Sequence, residues 1–163
     1  LTIAFFELQW GKVGNSGEFS MFIGEFDYRV DEKGRVPIPP KFRTEELKRD
    51  GMVLSPGMDK CITLYPHSEW KKLADSITTG TIVPSKLRKL NRAIFATAFN
   101  AEMDAQGRII LPVQLRQHAG ITDEVVVAGA NSYIELWSKS QWTLEKTASQ
   151  EEAWHIIETL EKR

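Results

Sequence analysis

The sequence has one cysteine, Cys61, and three scattered histidines, His67, His118 and His155. A single thiol forms no internal disulfide, and no two histidines stand at ligand spacing. A disulfide framework and a multi-cysteine zinc site are therefore excluded, and a reducing cytosol is the fitting compartment. No apolar run approaches the length of a membrane span. An excess of one charge is missing too: 21 basic and 22 acidic side chains leave a net charge of -1 over 163 residues. That excludes a strongly basic, histone-like chain. It leaves DNA binding open, because recognition depends on where charge sits. The 42% hydrophobic content is ordinary for a globular chain and argues against overall disorder. The length suits one domain or two small ones.

Residues 1–20 differ from the rest. The first methionine is Met21, and Trp10 to Gly17 is glycine-rich with little regular period. The apolar cluster Ile3 to Phe6 is too short for a secretory signal. The expectation is a disordered, non-native upstream extension with the true start at Met21. Leaving out these residues, which hold Lys12, Glu7 and Glu18, makes the net charge zero.

The strongest signal is an internal repeat. Asp31-x-x-Gly34-Arg35-Val36-x-Ile38-Pro39-x-x-Phe42-Arg43 matches Asp104-x-x-Gly107-Arg108-Ile109-x-Leu111-Pro112-x-x-Leu115-Arg116 at one constant offset. Phe22 and Phe26 extend the match back to Phe95 and Phe99. A second block, shifted by one residue, matches Gly57, Ile62, Leu64, Tyr65 and Trp70 to Gly129, Ile134, Leu136, Trp137 and Trp142. The expected organisation is a first repeat with a trailing helix over 21–80, a linking helix over 81–97, and a second repeat with C-terminal helices over 98–163.

Each copy reads alike. A short strand runs to the aspartate (Phe26 to Val30; Phe99 to Met103). Asp-x-x-Gly-Arg makes a turn, with Asp bonding backbone N–H groups ahead of it and Gly34 or Gly107 supplying positive φ. An alternating strand follows (Val36, Ile38; Ile109, Leu111). Pro39 and Pro112 stop it and open a short helix that turns Phe42 and Leu115 inward. A hairpin closes each copy. Ser68 is expected to cap a helix to about Ile77, Pro84 and Ser85 to begin one to about Ala96, and Ser140 and Ser149 to start the last helical segments. Neither copy buries enough surface to fold alone. The economical arrangement is one β-rich α+β, barrel-like unit in which the copies complete each other's sheet about a pseudo-twofold axis.

Other chemistries fit less well. Asp31 and Asp104 form a symmetric carboxylate pair, but each precedes an arginine that would keep it ionised, which a proton-sharing dyad cannot tolerate. Cys61 lacks an activating pattern and reads as a packed strand residue. No catalytic residue, metal site or cofactor is expected. Lys86, Arg88, Lys89 and Arg92 make a run of cations without an acid. It is either a DNA patch, a subunit contact or a solvated helix face over Leu87, Leu90 and Ile94.

These motifs, with Met21 to Phe26, Leu64-Tyr65-Pro66 and Ala119-Gly120, resemble the MraZ family of bacterial regulators with tandem AbrB-like domains. The resemblance covers residues 21–163. It implies a swapped-hairpin barrel, a homo-oligomeric ring, and a cytoplasmic, nucleoid-associated repressor of its own division and cell-wall operon. It assigns DNA contact to Arg35 and Arg108, oriented by Asp31 and Asp104. Lys33, Lys41, Arg43 and Arg116 are further candidate phosphate contacts. Copy one has Lys33 and Lys41 where copy two has Gln106 and Gln114, so the copies need not contribute equally. The implied operator is a direct repeat of TGGGN boxes. Trp10-Gly11 must be encoded TGGGGN, while Val13-Gly14 and Ser16-Gly17 permit two more boxes at spacings of about one helical turn. Residues 10–18 are thus expected to be translated operator. The alternative is a ring-forming interaction module, or an antitoxin-like protein, that binds a protein partner.

Overall fold

The computed structural model describes residues 21–162; the expected upstream extension, residues 1–20, lies outside them. The elements run in the order β1 (Glu25–Arg29), β2 (Arg35–Pro37), a 3-10 turn (Pro40–Phe42), α1 (Glu45–Asp50), β3 (Met52–Pro56), β4 (Ile62–Pro66), α2 (His67–Thr79) and α3 (Pro84–Ile94). Then come β5 (Phe99–Ala101), β6 (Arg108–Ile110), α4 (Val113–Ala119), β7 (Glu124–Ala130), β8 (Tyr133–Ser138) and α5 (Lys139–Glu161).

Six strands form one antiparallel sheet in the order β1-β7-β8-β4-β3-β5, and β2 and β6 form a separate ribbon. The repeat is visible in the pairing. β1 of copy one pairs with β7 of copy two, and β5 of copy two pairs with β3 of copy one. The two hairpins meet at β4 and β8, where Ile62 faces Leu136 and Leu64 faces Ile134. Exchanging the copies maps that register onto itself, as it does the ribbon register centred on Val36 and Ile109. A pseudo-twofold axis passes through both centres.

The sheet is not closed into the expected barrel. β1 and β5 remain its two edges. Pro39 and Pro112, which lack an N–H, follow the ribbon strands and limit the ribbon's length. The ribbon lies as a lid on one face of the sheet. Val36, Ile38, Ile109 and Leu111 pack there with Met52, Leu54, Ile62, Leu64, Val125, Val127, Ile134 and Leu136, all fully buried. Phe42 reaches the same core and meets Phe22 and Phe26 edge-on, at ring separations of 5.4 and 5.2 Å.

Several local expectations shift. The one-residue difference between the copies falls in the hairpin turns, which hold residues 58–60 in copy one and residues 131–132 in copy two. On the ladders Gly57 bonds Cys61 while Gly129 faces Ile134, so these glycines are not register equivalents. Asn131 supplies the tighter turn's positive φ of 69°. Phe22 bridges to Asn131, whereas Phe95 follows α3 and packs on Trp70. Pro66 occupies the N-cap of α2, and Ser68 instead donates its N–H and hydroxyl to Glu46. α5 is one 23-residue helix capped by Ser138, and Ser149 lies inside it with its hydroxyl on Glu145. No helix among the described residues is long and apolar enough to cross a membrane.

Candidate functional site

The two Asp-x-x-Gly-Arg segments form near-identical turns. Asp31 Oδ1 accepts from the backbone N–H groups of Lys33 and Arg35, both at 2.9 Å. Asp104 Oδ1 accepts from those of Gln106 and Arg108, again at 2.9 Å. The second carboxylate oxygen takes the arginine: Arg35 Nε donates to Asp31 at 2.6 Å, and Arg108 Nε to Asp104 at 2.9 Å. Backbone bonds from Gly34 to Asp31 and from Gly107 to Asp104 close each turn. The glycine φ values of 78° and 76° are ones an L side chain rarely adopts.

These bonds set the electrostatics. The Arg35 backbone N–H, with the Arg35 guanidinium and the Lys33 N–H, holds the Asp31 carboxyl below the ordinary carboxylate range against the opposing effect of desolvation. The Arg108 backbone N–H and the corresponding groups do the same for Asp104. Both carboxylates are pushed toward ionisation, the reverse of what one member of a proton-sharing dyad requires.

The ribbon decides where the arginines point. Side chains alternate across a strand. Val36 and Ile109 face the core, so Arg35, Pro37, Arg108 and Ile110 share the outer face. Each arginine spends its Nε on its own aspartate, leaving the terminal guanidinium nitrogens without a partner among the described residues. Ile110, 61% exposed between the two turns, was not singled out from the sequence, although its parity with Arg108 is a usable signal.

The copies also complete each other's turns. Gly107 O accepts from Ile38 N–H, and Gly34 O accepts from Leu111 N–H, both at 2.8 Å. Arg43 donates Nε to Ile38 O at 2.8 Å, and its guanidinium fills the space a Cβ on Gly107 would take. Arg116 donates to Leu111 O at 3.1 Å and lies 3.4 Å from the corresponding point on Gly34. Arg43 and Arg116 are thus half-buried, each spanning from its own strand to the other copy's turn. Lys33 and Lys41 are exposed without an ion pair among the described residues, as are Gln106 and Gln114 at the equivalent positions.

Cys61 is buried, and desolvation, with Glu135 adding repulsion, pushes its thiol up to about 12. No cluster of metal-ligating side chains occurs among the described residues. Trp70 and Trp142 pack against Tyr65 and Phe95 and against Trp137 respectively.

The family model described as "MraZ protein, putative antitoxin-like" matches residues 21–86 and 94–162, one stretch per copy. A protein of Dehalococcoides mccartyi named "Transcriptional regulator MraZ" is 56% identical over 143 residues, covering 87% of this chain and 99% of that protein. A second strain of that organism has a relative of the same name, 56% identical over 142 residues, 86% of this chain and 99% of its own length. One from Thermomicrobium roseum, also so named, is 43% identical over 122 residues, 75% of this chain and 84% of that protein. These names denote regulators and no enzyme. The chain belongs to the MraZ family.

Proposed function

We propose that this chain is a DNA-binding transcription regulator whose two Asp–Arg turns deliver Arg35 and Arg108 to a duplex. One observation carries the reading. Two equivalent guanidinium groups, each fixed through Nε and free at its outer nitrogens, stand partly exposed on the outward ribbon face about a pseudo-twofold axis. A guanidinium held this way suits guanine O6 and N7, or a phosphate. Asp31, Gly34, Asp104 and Gly107 orient the arginines. Lys33, Lys41, Arg43 and Arg116 supply phosphate contacts, more of them from copy one. The names of the relatives support the regulatory role.

The finer reading follows from the near-zero net charge. A neutral protomer with a few useful cations binds DNA weakly, since phosphate neutralisation sets the sequence-independent affinity. A homo-oligomeric ring of swapped-hairpin units multiplies those contacts by avidity, on TGGGN boxes spaced about one helical turn apart. Cross-copy strand pairing supports the swapped arrangement. The regulated gene is the chain's own operon, held under repression at the nucleoid.

The test is a mobility shift on DNA immediately upstream of the Met21 codon, including the codons for residues 10–18, against a scrambled duplex. Wild type is expected to retard the first selectively. Arg35→Ala is expected to lose about 1–3 kcal/mol per protomer, the worth of one bidentate base contact, with the fold intact. Binding by the variant equal to wild type would overturn the role of Arg35.

A further inference from the structure

Nine of the chain's lysines and arginines have an acidic side chain within 4 Å among the described residues. Those without one are concentrated in two places. Lys33, Lys41, Arg43 and Arg116 surround the turns already described. Lys86, Arg88, Lys89 and Arg92 all lie on α3. We propose that α3 is a second phosphate-binding surface, contacting the DNA backbone without regard to sequence and outside the region reached by the Asp–Arg turns. This rests on the DNA-binding reading above.

The helix is built unlike its neighbours. In α1, Lys48 pairs with Glu45; in α2, Lys71 pairs with Asp75 and Lys72 with Glu69. These are the i,i+3 and i,i+4 pairs that stabilise exposed helices. In α3 the same spacings join like charges: Lys86 to Lys89, Lys89 to Arg92, and Arg88 to Arg92. No acid occurs between Asp75 and Glu102 to relieve them. At 100° per residue, Leu87, Leu90 and Ile94 gather on one side and are half-buried, while the four cations cover the opposite arc and are exposed. Such a face repels itself in the free protein and is neutralised on a polyanion.

Placement favours a rod of phosphates over a membrane. Leu87, Leu90 and Ile94 on the apolar side of α3 are half-buried, which leaves a reduced apolar face for insertion between lipids. Phe95, just past the helix, packs on Trp70 at a ring separation of 5.4 Å and anchors that end. The chain then enters β5 and reaches the Asp104 turn, so a short segment of one copy connects the cationic helix to one of the two turns.

The experiment compares wild type with the full chain carrying Lys86→Gln, Arg88→Gln, Lys89→Gln and Arg92→Gln. Affinity is measured across a salt series on the operator duplex and on a scrambled duplex. The variant is expected to bind both at least about tenfold more weakly at 0.1 M salt. Its log–log salt slope is expected to be shallower by about 2 to 4, near 0.9 for each phosphate left unneutralised. The ratio between the two duplexes should stay at the wild-type value, whereas Arg35→Ala should collapse that ratio. An unchanged slope on both duplexes would overturn the proposal. So would an altered oligomer size by light scattering, which would make α3 a subunit contact. If wild type itself binds neither duplex at low salt, the DNA-binding reading falls first. The thermal midpoint of the variant should equal or exceed that of wild type, since glutamine keeps helix propensity and removes repulsion.

Discussion

Each turn carboxylate holds two backbone N–H groups as well as its arginine. Replacing Asp31 by alanine therefore releases the loop together with the guanidinium, while Asp31→Asn keeps part of the backbone bonding and loses the charge. Asn is expected to retain more stability than Ala, yet to weaken binding, measured by chemical denaturation beside a mobility shift. The sign of the pH dependence follows from the lowered carboxyls of Asp31 and Asp104. Their contribution to stability is complete above the ordinary carboxylate range near pH 4 and is lost as pH falls through their lowered native values. Between pH 5 and 8 they add no slope, which a series of denaturant melts would check. Cys61 is the opposite case. Its thiol, raised to about 12 by burial, is expected to stay unreactive toward a thiol reagent in the native protein and to react fully in denaturant. The turn residues were legible in the sequence because Asp-x-x-Gly-Arg is a local pattern whose bonds span four residues. The seats of Arg43 and Arg116 were not, because the glycine each one covers belongs to the other copy.

Among the elements, the β2–β6 ribbon carries the site although it has only three residue pairs. Prolines end it, and the fully buried Val36 and Ile109 fix which face looks outward. Gly107→Ala is expected to cost about 1–2 kcal/mol from the left-handed backbone alone. It also displaces the Arg43 guanidinium, so it should weaken DNA binding as well as lower the denaturation midpoint. Gly34→Ala should show the same strain with a milder effect on Arg116, which leaves more room. The alternation of Val36 and Ile38 made the ribbon's core face legible, and the proline and glycine signals marked its ends. The helices were less legible. Ser149 looked like a fresh start, but inside a helix a serine simply bonds its own face, here Glu145. Ser68 looked like a cap, but Pro66 already opens α2 and Ser68 turns to Glu46 on α1 instead.

At the scale of the whole molecule, the repeat predicted that the copies complete each other, and the sheet bears this out at β1–β7 and β5–β3. Closure into a barrel was beyond sequence reasoning, because it depends on whether two distant edges meet. Since one core serves both copies, damage in either should be felt in both. Ile109→Ala is expected to cost about 2–5 kcal/mol and to lower a single unfolding transition, seen identically by tryptophan fluorescence and far-ultraviolet dichroism. Two separate transitions would mean that the copies are independent. The same interlock bears on the order in which the protein is made. β1 emerges from the ribosome early, yet its partner β7 lies about a hundred residues later, a wait of roughly 5–20 s at common synthesis rates. For that interval Phe26 and Tyr28 have no ladder to join, and the first strand synthesised is among the last to find its place.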